Sequence, residues 1–214
     1  MTQSEIHGAQ AQSAGTDVAL ASASQSTRAA ETAARRQRLL DAAVTLAAEG
    51  GYEAVQMRDV AARAEVALGT LYRHFSSKDQ LLLAVLAEQA SALRTRLALR
   101  PARGDEPGDR VADVLRRATR ALTRDPRTTA AMVTALASPE PQAAPAKDEV
   151  YAQLRTIISG ALDGHEVRDL DGVLRVLGYV WFATLSAWVG GTTDAEGMAT
   201  DLAIAAHLLL DARP

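Results

Sequence analysis

The sequence predicts an all-α protein of about nine helices, and three observations carry that prediction. Between breakers, apolar residues recur at i, i+3/i+4 and i+7, the period of a helix with one buried face. Alanine is the filler: hydrophobic residues make up 48% of the chain and aromatics only 4%. Alanine loses no side-chain entropy in a helix, whereas sheets favour aromatic and β-branched residues. No strand-like alternation and no internal repeat is found in the 214 residues, a length that suits one compact unit with a small appendage.

Residues 1–27 are Ala/Ser/Gln/Thr with little to bury and are expected to be a disordered tail. Periodicity starts near Glu31 and runs through Leu39, Leu40, Ala43, Leu46 and Ala47 until Gly50-Gly51, which ends the helix in a left-handed cap. Two short helices follow, Met57–Ala64 and Leu68–His74, separated by Glu65-Val66-Ala67. Ser76 or Ser77 caps a longer helix that buries Leu82, Val85, Leu86, Ala90, Leu93 and Leu97 and ends near Leu99. Arg100 through Gly108 is a Pro/Gly linker. Five more helical patterns follow: Asp109–Thr123, Pro126–Ala137, Ala146–Leu162 after a loop over Pro139–Pro145, Glu166–Val189, and a last helix opened by Thr192 or Thr193 and running to about Asp211. The expected division is a tail over 1–27, a module of short helices over 28–80, and a larger helical domain over 81–214.

Composition narrows the function. With no cysteine, the chain has no disulfide framework, thiolate metal site or cysteine nucleophile. Its four histidines are scattered and form no metal-binding pair, so no metal and no cofactor are expected. A Gly-rich phosphate loop, a GxSxG elbow and a plausible triad are missing as well, so no catalytic residue is assigned and an enzyme is not expected. Residues 28–78 carry eight Lys/Arg against six Asp/Glu within a chain of net charge −3, a mildly basic module before an acidic body. The N-terminus does not read as a signal peptide. Val176–Thr193 is free of charge but contains Gly178, Thr184, Ser186 and Gly190-Gly191, and it falls short of a membrane span; a buried helix and a cytoplasmic protein without membrane contact are expected.

Two short helices joined by a three-residue turn, with a helix before and after, form the helix-turn-helix layout. In it Leu71 and Phe75 face the core, while Thr70, Tyr72, Arg73 and His74 project hydroxyl, guanidinium and imidazole groups outward. Ala61 lets the helix pair pack closely, and Gly69 lets the second helix approach a phosphate backbone. Lys78 stands at the next helix N-terminus, where backbone N–H groups also favour phosphate.

The run RRQRLLDAAVTLAAEGGYEAVQMRDVAARAEVALGTLYRHFSSKDQLL, from Arg35 to Leu82, resembles the DNA-binding domain of TetR-family transcriptional regulators, most specifically in GTLYRHF followed by Lys78. The resemblance implies that Gln56 or Met57 begins the supporting helix, and that Ala67, Leu68, Gly69, Thr70, Tyr72, Arg73 and His74 form the recognition element. It further implies that Tyr72 and Lys78 bind phosphates while Leu68, Thr70 and Arg73 stand nearer base edges of a palindromic duplex. Three positions depart from the pattern: Glu65 where glycine is usual, Ala67 where serine often caps, and Gln56 where threonine or serine often caps. A narrower similarity, in GGYEAVQMRDVAARAEVALGTLYRHF, LTRDPRTTAAM and VWFATLSAW, is to KstR-type repressors of cholesterol catabolism, which respond to CoA thioesters of steroid acids.

In the body, Tyr179, Trp181, Phe182 and Trp188 crowd into one helix that is apolar on most faces. The family pattern implies that the last two long helices form a homodimer interface, for which Leu185, Trp188, Leu202 and Leu209 are the candidates. Met132, Tyr151, Leu154, Tyr179 and Phe182 are the candidate lining of a pocket for a small hydrophobic effector, against the plainer reading that such residues are core. The expectation is a one-component repressor released from its operator by that effector. A TetR-type repressor of an efflux or other catabolic operon is the neighbouring reading, and a helical adaptor that binds no DNA is the one from another class.

Overall fold

The computed structural model describes residues 3–211, with side chains from residue 25 onward. Among these residues there are nine α-helices, one 3-10 turn and no strand: α1 (Gln3–Ala54), α2 (Met57–Arg63), α3 (Leu68–His74), α4 (Lys78–Leu99), α5 (Pro107–Leu122), α6 (Pro126–Ala137), the turn Pro141–Ala143, α7 (Ala144–Leu162), α8 (Leu170–Val189) and α9 (Ala195–Leu210).

α1 is broken at Gly50 (φ −145°) and Gly51 (φ 70°), and the left-handed φ of Gly51 is the glycine cap expected there. Its start differs from expectation. Residues 1 and 2 of the predicted tail lie outside the described residues, as do the side chains up to residue 24, but the backbone is helical from Gln3. The segment is rich in alanine and glutamine, strong helix formers that extend a helix already nucleated downstream. Residues 25–34 are exposed on every side, and burial begins at Leu39.

Other boundaries move by a few residues, each for a local reason. α5 begins at Pro107 because proline fits the first helical position. α8 begins at Leu170 because the Asp169 carboxylate accepts from Gly172 N at 3.1 Å. α9 is capped by Asp194, which accepts from Gly197 N at 2.7 Å, in place of the expected threonines. Thr192 instead donates its hydroxyl to Ala187 O at 2.9 Å, at the end of α8.

One contiguous core joins the two expected domains, and the boundary expected at residue 80 falls inside α4, which is buried without interruption from Leu81 to Ala87. α1 packs on α6, α2 and α4; α4 packs on α7 and α6; α5 lies along α9; and α8 is set between α6, α7 and α9. The head is tied to the body where α6 begins: Arg127 Nη1 donates to Glu49 O at 3.0 Å, and Thr128 Oγ1 to Val44 O at 3.5 Å. At the far end Gly108 N donates to Asp211 Oδ1 at 2.8 Å, an approach so close that a Cβ on Gly108 would collide with the Asp211 and His207 side chains. Of the described helices, α8 alone has the length and hydropathy of a membrane span, and 44% of that window is buried against the rest of the fold.

Candidate nucleic-acid interface

α2 and α3 are held by what they bury. Val60, Ala61, Leu71 and Phe75 are all closed off from solvent. The turn between the helices places Glu65 at φ 55°, the left-handed region anticipated from its standing where glycine is usual. Val66 N then donates to Ala61 O at 3.0 Å and closes the turn. Neither helix has a side-chain cap: Gln56 is exposed and turns its amide to Glu53 O at 2.8 Å, while Ala67 has nothing to offer. Met57 is half-buried and packs on the core, so its main contribution is to seat α2.

The outer face of α3 is presented to solvent. Tyr72 is 50% exposed and Leu68 37%, both large side chains that the protomer leaves uncovered. Gly69 and Arg73 are exposed, and Thr70 and His74 are half-buried. Arg73 Nη2 donates to Thr70 Oγ1 at 2.9 Å, which holds the guanidinium alongside the helix. A Cβ on Gly69 would meet no atom within 4 Å, so the fold itself has no need of glycine there.

Lys78 is more constrained than its sequence position implies. Ser77 caps α4, its Oγ accepting from Gln80 N at 3.1 Å. Lys78 Nζ donates to Tyr52 O at 3.2 Å and sits 3.7 Å from the centroid of the Tyr52 ring, with its side chain 20% exposed. The Tyr52 hydroxyl in turn donates to Asp79 Oδ1 at 2.6 Å, and Asp79 is only 5% exposed. Burial, then that bond and the Asp79 charge, push the Tyr52 hydroxyl well above its usual pKa. Glu53 Oε2 stands 4.0 Å away as an ion-pair partner, and an ammonium with three donors keeps two beyond its hydrogen bond to Tyr52.

Two residues of the interface escaped the sequence analysis. The His74 imidazole is held below its ordinary value of 6.5, first by burial and then by the charges of Arg35, Arg36 and Arg73. Arg36 also lies over the Phe75 ring at 5.6 Å. Arg35 and Arg36 of α1 therefore join the C-terminal end of α3 in one cationic cluster. The available signal was the Arg35-Arg36 pair itself, but no local spacing connects it to His74. Arg38, beside them in sequence, instead donates Nε to Ala64 O at 3.2 Å and clamps α1 to the end of α2.

Comparison with known proteins agrees with this geometry. Residues 39–85 match the family described as bacterial regulatory proteins, tetR family, and residues 104–209 match the tetracyclin repressor-like C-terminal domain. The HTH-type transcriptional repressor KstR of Rhodococcus jostii is 41% identical over 177 residues, which are 82% of this chain and 82% of that protein. The chain belongs to the TetR family. A TetR transcriptional regulator from Rhodococcus sp. RHA1 superposes with a TM-score of 0.77 at 35% identity, over 84% of this chain and 97% of that one. Thermus thermophilus FadR, a TetR-family repressor solved in complex with lauroyl-CoA, shares the fold with a TM-score of 0.65 at 22% identity, over 81% and 92% of the two chains.

In the body of this TetR regulator, the expected pocket lining is not brought together. Tyr179 is 63% exposed and Tyr151 43%, both on the outer surface, where the Tyr151 ring lies over Gly178. Met132 is sealed in the core at 1% exposure, and Phe182 is half-buried against it. Of the five, only Leu154 lines the apolar slot that does exist, between α4, α5, α7 and α8, with Leu86, Ala90, Leu93, Ala118 and Trp181. That slot holds about 60 Å³, the volume of roughly two waters. Two of the expected dimer residues need correction too. Leu185 (2% exposed) and Leu202 (0%) belong to the protomer's own core, and Trp188 and Leu209 are only half-buried. A helix apolar all round does not reveal in its sequence which face turns inward. On these two helices the large apolar residues left outside are Val176, Tyr179 and Val189 of α8 and Ile204 and Leu208 of α9.

Proposed function

We propose that this TetR-family regulator is a one-component repressor, which binds a palindromic operator as a homodimer and is released by a small hydrophobic effector of acyl-CoA or steroid type. The observation that carries this reading is α3: its inner side is locked by Leu71, while Leu68, Gly69, Tyr72 and Arg73 are exposed and Thr70 and His74 half-buried, and the Arg73–Thr70 bond is the one side-chain hydrogen bond on that face among the described residues. A helix so presented fits the major groove, and a two-fold dimer places two of them on half-sites about one helical turn apart. Lys78 and Tyr72 are assigned to phosphates; Thr70 and Arg73 to base edges; Gln56, Met57 and Ala67 to the seating of the two helices. The exposed Tyr179, Val176, Ile204 and Leu208 supply the apolar surface for the dimer. The repressor name of the 41%-identical relative supports the direction of control. A protein that works on the operator belongs in the cytoplasm.

The test is binding of the purified regulator to its own upstream DNA across a salt series. Log affinity should fall linearly with log salt. Lys78→Ala should flatten that slope by roughly two units per dimer, one phosphate per protomer. Arg73→Ala or Thr70→Ala should instead redistribute preference among operator variants, by ~1–3 kcal/mol per lost base contact. Absence of salt-dependent binding to that region and to any selected duplex would hand the chain to the adaptor reading.

A further inference from the structure

The ammonium of Lys78 is tied down before any DNA arrives, and Tyr52 does the tying. α1 breaks at Gly50 and Gly51, and the chain beyond the break brings Tyr52 over the start of α4. There it makes two contacts with Lys78. Its carbonyl accepts from Nζ at 3.2 Å, and its ring centroid lies 3.7 Å from the same atom. The ring is fixed in turn, because its hydroxyl donates at 2.6 Å to Asp79, the residue next to Lys78 and only 5% exposed. Burial, and then Asp79, keep that hydroxyl protonated at every working pH, so it never stops donating. The result is a closed circuit from Lys78 through Tyr52 and Asp79 and back along the backbone. Glu53 stands nearby at 4.0 Å, with a side chain 86% exposed that can swing aside from an incoming anion.

A lysine that only satisfied the last carbonyls of α1 would need no ring above it. The ring matters for a charge that is to be handed to something else. Lysine carries a compact charge on a four-carbon stem, among the side chains that lose most freedom when held still. A loose stem loses that freedom on meeting a phosphate, and affinity falls accordingly. Here the loss is taken on folding, and what reaches the DNA is an ammonium already aimed. The ring attracts the ammonium without neutralising it, whereas a carboxylate in its place would cancel the charge that a phosphate needs. One N–H is committed to the Tyr52 carbonyl, which leaves donors for an outside oxygen. We propose that Tyr52 is a positioning residue for operator binding: its ring and carbonyl hold the Lys78 ammonium ready for a DNA phosphate, and its bond to Asp79 steadies the ring. Tyr52 acts through Lys78 and not on the DNA itself. This rests on the assignment of Lys78 to a phosphate and names the residue that makes that contact strong.

The experiment measures operator affinity for a double-mutant cycle of Tyr52→Leu and Lys78→Ala, with Tyr52→Phe as the variant that keeps the ring. Urea midpoints fix conditions in which each variant is folded. With one long side chain per protomer left to be ordered on binding, Tyr52→Leu should weaken the dimer's affinity about tenfold. In the Lys78→Ala background the same change should cost less than about twofold, because nothing is left to position. Tyr52→Phe should stay within about threefold of wild type although it unfolds at lower urea. Neutral methylphosphonates, placed at one operator phosphate at a time, give an independent readout. The phosphate whose neutralisation has no effect on Lys78→Ala should also matter less to Tyr52→Leu than to wild type. If Tyr52→Leu acts equally in both backgrounds, or in neither, Tyr52 does not position Lys78 and the proposal is overturned, while Lys78 keeps its phosphate. If Lys78→Ala itself changes neither affinity nor salt slope, the phosphate assignment fails and takes the proposal with it. NMR of the wild type checks the same point however the variants fold. The ring should shift the Lys78 ε-protons upfield in the free protein, and the shift should persist on the operator. Unshifted ε-protons in the free protein, or a shift lost on binding DNA, overturn the proposal.

Discussion

Gly69 has open space where a side chain would stand, so its value is not to the fold. Gly69→Ala should leave the protein as stable or up to ~1 kcal/mol more stable, since alanine is the better helix former. The same change should weaken operator binding roughly tenfold, by pushing the backbone of α3 off the phosphates. Unchanged affinity would show that α3 does not approach closely at that point. His74 should make operator binding pH-sensitive. Free, it is held below 6.5 by burial and by its arginine neighbours, whereas DNA phosphates would draw a proton onto it. Operator binding should therefore take up protons and tighten as pH falls through this region, and His74→Gln should flatten the dependence. Anisotropy titrations at several pH values decide it, and an identical dependence in the variant would exclude His74. Tyr52→Phe removes the hydroxyl that donates to the buried Asp79 carboxylate, a hydrogen bond worth ~1.5–3 kcal/mol. A urea midpoint that does not move would contradict that bond.

At the scale of the element, caps and turns explain most of what the sequence conveyed and where it fell short. The α2–α3 turn was readable to the residue: Glu65 does occupy the left-handed region, and neither Gln56 nor Ala67 makes a cap bond. Glu65→Gly removes a backbone cost of ~1–2 kcal/mol but gives the unfolded chain more freedom. The net effect should be a gain of up to ~1 kcal/mol, seen as a raised denaturant midpoint; a loss would mean that the Glu65 side chain stabilises the turn. The boundaries that shifted belong to Asp169 and Asp194, whose carboxylates bond backbone N–H groups three residues on. Both were visible as N-cap types, yet Thr192 and Thr193 were of the same type nearby, and only the path of the chain out of α8 chooses among them.

For the whole molecule, association is the decisive open face. Tyr179→Asp combined with Leu208→Asp places charge on the uncovered sides of α8 and α9 and should give folded monomers by light scattering. Leu185→Asp, inside the protomer, should instead lower the unfolding temperature. A double surface variant that keeps the wild-type dimer mass would move the interface elsewhere.

The sequence by itself determined the helical class, the order of the helices, the recognition helix with its inward Leu71 and Phe75, and the family to which they point. Those are local matters, set by period, breakers and a short motif. Tertiary structure alone decided three things. It decided that Leu185 and Leu202 face inward on helices apolar enough to face either way, and that Tyr151 and Tyr179 lie outside. It carried Arg35 and Arg36 to the end of α3 beside His74. It also laid Tyr52 of α1 over the Lys78 ammonium of α4. Each depends on which side of a helix meets which neighbour, and a helical period states that a face is buried without naming the element that buries it.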